Sequence, residues 1–176
     1  ALYVQNKFDV TGDLLLDKNA ATGSTTEKTT TITRVYDEEG ELVSEETTES
    51  TTEVTHDGAD FGAAYVGGVM LVGGDATITN NTANNDVGAV YAGSVAIAGA
   101  ATISDNSAGG NVGAIKTTGN LTIDGAATIT GNSATASVGA LETTNGTIFL
   151  KNATITNNTT GGDAGAIRAK IAQIVN

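Results

Sequence analysis

The chain has 176 residues with 23 Gly and no Cys, Pro or Trp; that length allows one domain with its own core, and the missing cysteines exclude a disulfide framework or a Cys-based metal or redox site. The net charge of −12 disfavours nucleic acid as a partner, because phosphate contact needs clustered Lys and Arg. No run of about 18 apolar residues offers a membrane-spanning helix, and no signal peptide is visible, though an excised chain would have lost one.

The first stretch, ALYVQNKFDVTGDLLLDKNAA, takes its meaning from a repeat set later in the chain. Phe8 and Val10 align with Val95 and Ile97, Leu16 with Ile103, and Asn19 with Asn106. Ala1 then aligns with Ala89, inside a coil, and Ile174–Asn176 also ends inside one. Solenoids hide their terminal coils under atypical caps, and neither end shows one. The expectation is a piece of a longer β-helix, or a chain whose ends other chains cover.

Between Ala21 and Phe61 the repeat is interrupted. From Gly23 to Asp60 there are eleven acidic residues against Lys28 and Arg34, a balance of −9, which leaves −3 for the rest. Two Thr-rich, β-prone runs flank Asp37-Glu38-Glu39-Gly40, which reads as a β-hairpin inserted over 24–58. Its sizeable apolar residues are Ile32, Val35, Tyr36, Leu42 and Val43. Insertions into solenoid coils lie on one face and are frequent binding sites. Arg34, Tyr36, Asp37, Glu38, Glu39 and Glu41 are therefore the candidate partner-binding residues, the alternative being a solvated acidic decoration.

From Phe61 onward the chain repeats. TITNNT (77–82), TISDNS (102–107), TITGNS (128–133) and TITNNT (154–159) recur at steps of 25, 26 and 26 residues. A second anchor, FGAA (61–64), VGAV (87–90), VGAI (112–115), VGAL (138–141) and AGAI (164–167), keeps the same steps. Between them lies an apolar pair: Val69 and Leu71, Val95 and Ile97, Leu121 and Ile123, Ile148 and Leu150. Each unit thus holds three short alternating segments separated by Gly, Asn, Asp or Thr. About 26 residues leave no room for crossover helices or the four strands of a propeller blade. The pattern predicts an all-β, parallel β-helix of about six coils, with equivalent residues about 4.8 Å apart in ladders. Ile78, Ile103, Ile129 and Ile155 form one inward ladder; Ala64, Val90, Ile115, Leu141 and Ile167 form another.

The position two after the central Ile holds Asn80, Asp105, Gly131 and Asn157, residue types that tolerate positive φ, so a corner is expected there. Asn81, Asn106, Asn132 and Asn158 follow, and a buried Asn at a corner can bond neighbouring backbone and stack amide on amide. Thr and Ser on either side of each Ile (Thr77 and Thr79, Thr102 and Ser104, Thr128 and Thr130, Thr154 and Thr156) point outward, as ordinary exposed strand residues or, less favoured, an ice-binding array.

Catalytic machinery is thin. The one histidine, His56, sits in a Thr- and Asp-rich loop, and no HExxH, Walker or GxSxG motif occurs. The Gly pairs at 67–68, 73–74, 109–110 and 161–162 read as turns, since no helix follows them. Of the coil carboxylates, Asp75 and Asp124 share a turn two coils apart, and Asp86 and Asp163 share another three coils apart. No basic or acidic partner is identified for either pair in the coils between, so a two-carboxylate glycosidase is not expected. No calcium loop, metal site or cofactor motif is found.

The VGA-[VIL] and IxxN elements quoted above resemble the passenger repeats of the polymorphic outer membrane proteins and related bacterial autotransporter-type adhesins, whose repeats carry GGA-[ILV] and FxxN. Here one Gly is replaced and Ile (78, 103, 129, 155) stands where that family has Phe; the likeness covers about three quarters of the chain and is lost over 23–60. It implies a right-handed coil, agreeing with the general crossover rule, and display outside the cell or on a bacterial surface, with adhesion and without catalysis. The expected partner is a protein or glycan on a host cell or matrix, met through the hairpin or a rod face. The rival expectations are end-to-end stacking of copies into a filament and, less favoured, a carbohydrate-active enzyme.

Overall fold

The structure, a computed structural model, describes residues 2–21, 26–36, 42–53 and 60–176. It divides into two compact units, Ala1–Thr22 with Ala59–Asn176, and Gly23–Gly58.

The larger unit is a parallel β-solenoid. On the first face Leu2 pairs with Ala64, and the column continues through Val90, Ile115 and Leu141 to Ile167. A second face stacks Phe8, Met70, Val95, Leu121 and Ile148. On the third, Leu16, Ile78, Ile103, Ile129 and Ile155 lie in register. The repeat makes about four regular turns; the expected count of about six includes residues 2–21 at one end and a partial rung after Ala164 at the other. Alternation puts one residue in two inward, and the insides of the faces merge into one core. Ile78, Ile103 and Ile129 have no exposed surface, while Ile155 and Ile167, in the outermost rungs, are half-buried. Fully burying one such side chain stabilises by about 1.5–3 kcal/mol, so the interior rungs carry the stability.

The corner after the third face behaves as its residue types require. Asn80, Asp105 and Asn157 hold φ 56° and Gly131 φ 67°, and Lys18 holds the same position in the first rung at φ 55°. The next asparagine turns inward. Asn106, fully buried, donates from Nδ2 to the Ile78 carbonyl and to Asn132 Oδ1, both at 2.9 Å, and from its backbone N to the same Oδ1 at 3.1 Å. Its own Oδ1 accepts from the backbone N and Nδ2 of Asn81 at 3.0 and 2.9 Å. Asn19 begins this ladder against Asn81, and Asn132 extends it to Asn158. Each buried amide has its partners, so the corner is satisfied without water.

After that corner each coil adds a two-residue strand, such as Thr82–Ala83, Ser107–Ala108 and Ser133–Ala134, which stack into a small separate sheet. Two residues are too short for an alternation pattern, and the sequence reading gives three strands only. The Gly of each VGA element is fixed by close approach: a Cβ on Gly113 would stand 1.9 Å from the Gly139 carbonyl oxygen, and Gly62, Gly88 and Gly139 meet the next rung alike.

One expected pair is corrected. Val69 and Leu71 do not line the core; Met70 and Val72 do, paired with Val95 and Ile97. The cause is the Gly67-Gly68 pair opposite the single Gly93, where the register slips by one residue. A one-residue slip exchanges the faces of everything after it, and Val69 becomes 41 % exposed.

The smaller unit pairs Thr26–Tyr36 antiparallel with Leu42–Glu53, from Thr26 opposite Glu53 to Tyr36 opposite Leu42. Arg34 lies on the first strand opposite Glu45. The expected turn at Asp37, Glu38, Glu39 and Gly40, with Glu41 and His56, lies outside the described residues.

Candidate functional site

The first face is only three residues wide in most coils, and its middle residue must point away from the core. Following each inward member by one position gives Tyr3, Tyr65, Tyr91, Lys116, Glu142 and Arg168, stacked in register along the outside. The tyrosine rings stack in parallel: centroids lie 4.9 Å apart for Tyr3 and Tyr65 and 5.4 Å for Tyr65 and Tyr91, with interplanar angles of 8° and 1°. Phe61 tilts against Tyr65 and Tyr91 at 5.2 Å. Ring faces therefore cover one another, and the column offers ring edges and phenol hydroxyls to solvent. Among the described residues none of the three hydroxyls has a protein hydrogen-bond partner.

A second column runs beside it. The bridge residues Phe61, Val87, Val112, Val138 and Ala164 pair rung to rung, and the buried valines form a small apolar cluster of their own against Phe61 and Tyr91. The residue before each is Asp60, Asp86, Asn111, Ser137 or Asp163. Asp60 Oδ1 accepts from Asn85 Nδ2 at 3.2 Å, and Asp86 Oδ1 accepts a short bond from Asn111 Nδ2. Around them is a polar depression of about 410 Å³ lined by Asp60, Asn85, Asp86 and Asn111, with Gly109 and Gly110 between. These two glycines are obligatory: a Cβ would stand 2.0 Å from the Asn84 carbonyl oxygen and 2.3 Å from that of Asn85.

The two columns are joined by ion pairs that the sequence reading does not identify. Lys116 Nζ reaches both oxygens of Asp86 at 3.4 Å. Arg168 donates from Nη1 to Asp163 at 2.8 Å, from Nε to Glu142 Oε1 at 3.1 Å, and from Nη2 to that same oxygen. Its guanidinium pKa is raised, first by the hydrogen bond to Glu142 and then by the charges of Glu142 and Asp163. Glu142, capped by Arg168, is buried, and its Oε2 has no partner. So Asp86 and Asp163, for which the sequence identifies no partner in the coils between them, each hold a cation. Of the other pair, Asp124 binds Lys151 at 2.6 Å, while Asp75 Oδ1 accepts from the Ala100 backbone N at 2.7 Å and anchors a turn.

The expected ladder residues Ile78, Ile103, Ile129 and Ile155 with Asn81, Asn106, Asn132 and Asn158 are assembled as structure, not as a site. Of the hairpin candidates, Arg34 and Tyr36 lie on its first strand, and the others fall outside the described residues. The Thr columns stand in register beside the isoleucines, with Ser104 sheltered at 9 % exposure. Another shallow depression, of about 550 Å³, runs over Leu71, Ala96 and Ala98 between Asp9 and Asp124. Among the described residues no group of three or more His, Cys, Asp or Glu could hold a metal ion, and no helix is long and apolar enough to cross a membrane.

The signal for the outward column was present: it is the letter after each second-anchor residue. It escapes a search for repeated letters because its chemistry changes from rung to rung. Comparison with known proteins finds no family model, no curated protein and no solved structure that matches the chain.

Proposed function

We propose that this chain is a non-catalytic binding module of the surface-display kind, a stiff β-solenoid that holds one outward face toward a protein or glycan on a host cell or matrix. The observation that carries the reading is the outward column of the first face, where free phenol hydroxyls and a carboxylate–amide column stand side by side at rung spacing. The fold needs only a small or strand-forming residue there, so this chemistry answers to something outside the fold. The likeness of the VGA and IxxN elements to adhesin repeats supports the same reading and favours an extracellular or cell-surface setting.

The acids of this face are each held by a cation or an amide, an arrangement suited to fixed recognition. General acid–base work instead calls for one carboxylate free to give and take a proton. The test is retention of the purified chain on immobilised matrix proteins and polysaccharides. The double variant Tyr65→Ser/Tyr91→Ser should lose retention, while a chain lacking 24–58 should keep it. Undiminished retention by the double variant, with loss on removing 24–58, would move the binding function to the inserted hairpin.

A further inference from the structure

We propose that the partner of this face is a linear neutral or amino-sugar polysaccharide lying along the solenoid axis, one sugar residue to each rung. This deepens the binding-module reading and rests on it.

Periodicity comes first. Rungs of a parallel solenoid repeat at about 4.8 Å, and the tyrosine rings follow at 4.9 and 5.4 Å. One pyranose in an extended 1,4-linked chain is of comparable length. A polysaccharide running across the strands therefore meets the same pair of columns again at each residue, whereas an extended peptide, at about 3.3 Å per residue, falls out of step.

Hydrogen-bonding character comes second. A sugar ring presents hydroxyls that both donate and accept. The face opposes them with phenol hydroxyls on one side (Tyr65, Tyr91) and with Asp60, Asn85, Asp86 and Asn111 on the other. A carboxylate has about four acceptor sites, so Asp60 and Asp86 keep acceptor capacity beyond the amide bonds that orient them. Lys116 spans from one column to the other to reach Asp86, which sets the distance between the columns at the length of one side chain. Gly109 and Gly110 line the depression where the backbone of the adjacent rung comes too close for a Cβ.

Charge decides the class. Lys116 and Arg168 are the cations of this face, and both are committed to carboxylates. A polyanion would meet Asp60, Asp86 and Asp163 on a chain of net charge −12, and among the described residues the cations of this face are already paired. Neutral sugars meet no such repulsion, and an ammonium-bearing amino sugar gains from the acids.

The experiment is calorimetric titration with cello-, chito- and chitosan oligosaccharides from the disaccharide to the hexasaccharide, with oligogalacturonides as the acidic counterpart. Affinity should rise with length until the tetrasaccharide and then level, because the phenols and the Asp60–Asn111 column together cover that many rungs. Tyr65→Phe/Tyr91→Phe keeps the ring stack and removes only the hydroxyls. It should weaken binding about tenfold and leave the thermal midpoint unchanged. Preference for the galacturonides, affinity independent of length, or equal affinity in the Phe variant would each overturn the inference. If a matrix protein is retained through these tyrosines and no oligosaccharide binds, the sugar is wrong and the binding module stands. If neither binds through them, both fall.

Discussion

Asn81, Asn106, Asn132 and Asn158 keep one residue type through successive rungs; Tyr65, Tyr91, Lys116, Glu142 and Arg168, on a neighbouring column of the same coils, change from aromatic to cation to anion to cation. The geometry under both columns is the same stack of parallel strands. Inside, a corner with orphaned backbone groups accepts one solution, an amide that donates to two carbonyl oxygens and receives two donors in return. Outside, an exposed strand position is satisfied by almost any side chain, so what stands there is free to serve another purpose. Monotony along a solenoid marks what the coil requires, and variety marks what it leaves open.

Substitutions separate these cases, from the most to the least costly. Gly113→Ala places a Cβ 1.9 Å from a backbone oxygen that cannot move without parting two rungs. The expected outcome is a loss of at least about 4 kcal/mol, seen as a missing cooperative transition in circular dichroism. Asn106→Ala leaves the buried Asn81 backbone N without its acceptor and takes one partner each from Asn81 Nδ2, the Ile78 carbonyl and Asn132 Oδ1; it should cost about 2–3 kcal/mol in urea unfolding. A cost below about 1 kcal/mol would mean that the corner holds without its ladder.

In the outward column the partners of one ion pair should differ. Arg168→Met strands Glu142 as a buried, unpaired carboxylate and should cost about 1–3 kcal/mol. Glu142→Met removes a carboxylate that already lacks one partner and leaves Arg168 exposed, so its cost should stay below about 1 kcal/mol. The reverse order in thermal unfolding would show that Arg168, not Glu142, is the group the coil needs covered.

The smallest effect lies at Asp17, an outward residue with a structural role. Hydrogen bonds from Asn80 and then Thr79, both 2.9 Å long, hold its pKa below the ordinary carboxylate value. A depressed folded-state pKa gives stability that is fully present above the unfolded value and lost as pH falls through the folded one. Asp17→Asn should therefore lower the thermal midpoint slightly near neutrality, and the loss should fade at an acid pH where the carboxylate is protonated in the folded state too. An equal loss at both pH values would assign the effect to shape instead of charge.

The fold was legible where a column repeats itself in kind. The isoleucine ladder, the positive-φ corner and the inward asparagines follow from four near-identical hexamers, because a position seen several times in the same role identifies itself. Reading failed where the count slipped: the second glycine of Gly67-Gly68 moved Met70 and Val72 into the places assigned to Val69 and Leu71. The two-residue strands after each corner were too short to show a period. The candidate site was hidden for the opposite reason to the ladder, since Tyr91, Lys116 and Glu142 share a position and nothing else. Lys116 and Arg168 were also missed as partners for Asp86 and Asp163 because both contacts depend on how far a long side chain reaches across a coil.

The central claim is that residues about 26 positions apart lie directly above one another in parallel register around a dry interior. Methyl-selective nuclear Overhauser measurement on isoleucine-labelled protein tests it most directly. Unbroken contacts from Ile78 to Ile103, from Ile103 to Ile129 and from Ile129 to Ile155, in that order and with no water cross-peaks for the first three, are the expected result. Contacts that skip a rung, pair these residues in antiparallel order, or place Ile103 in water would contradict it.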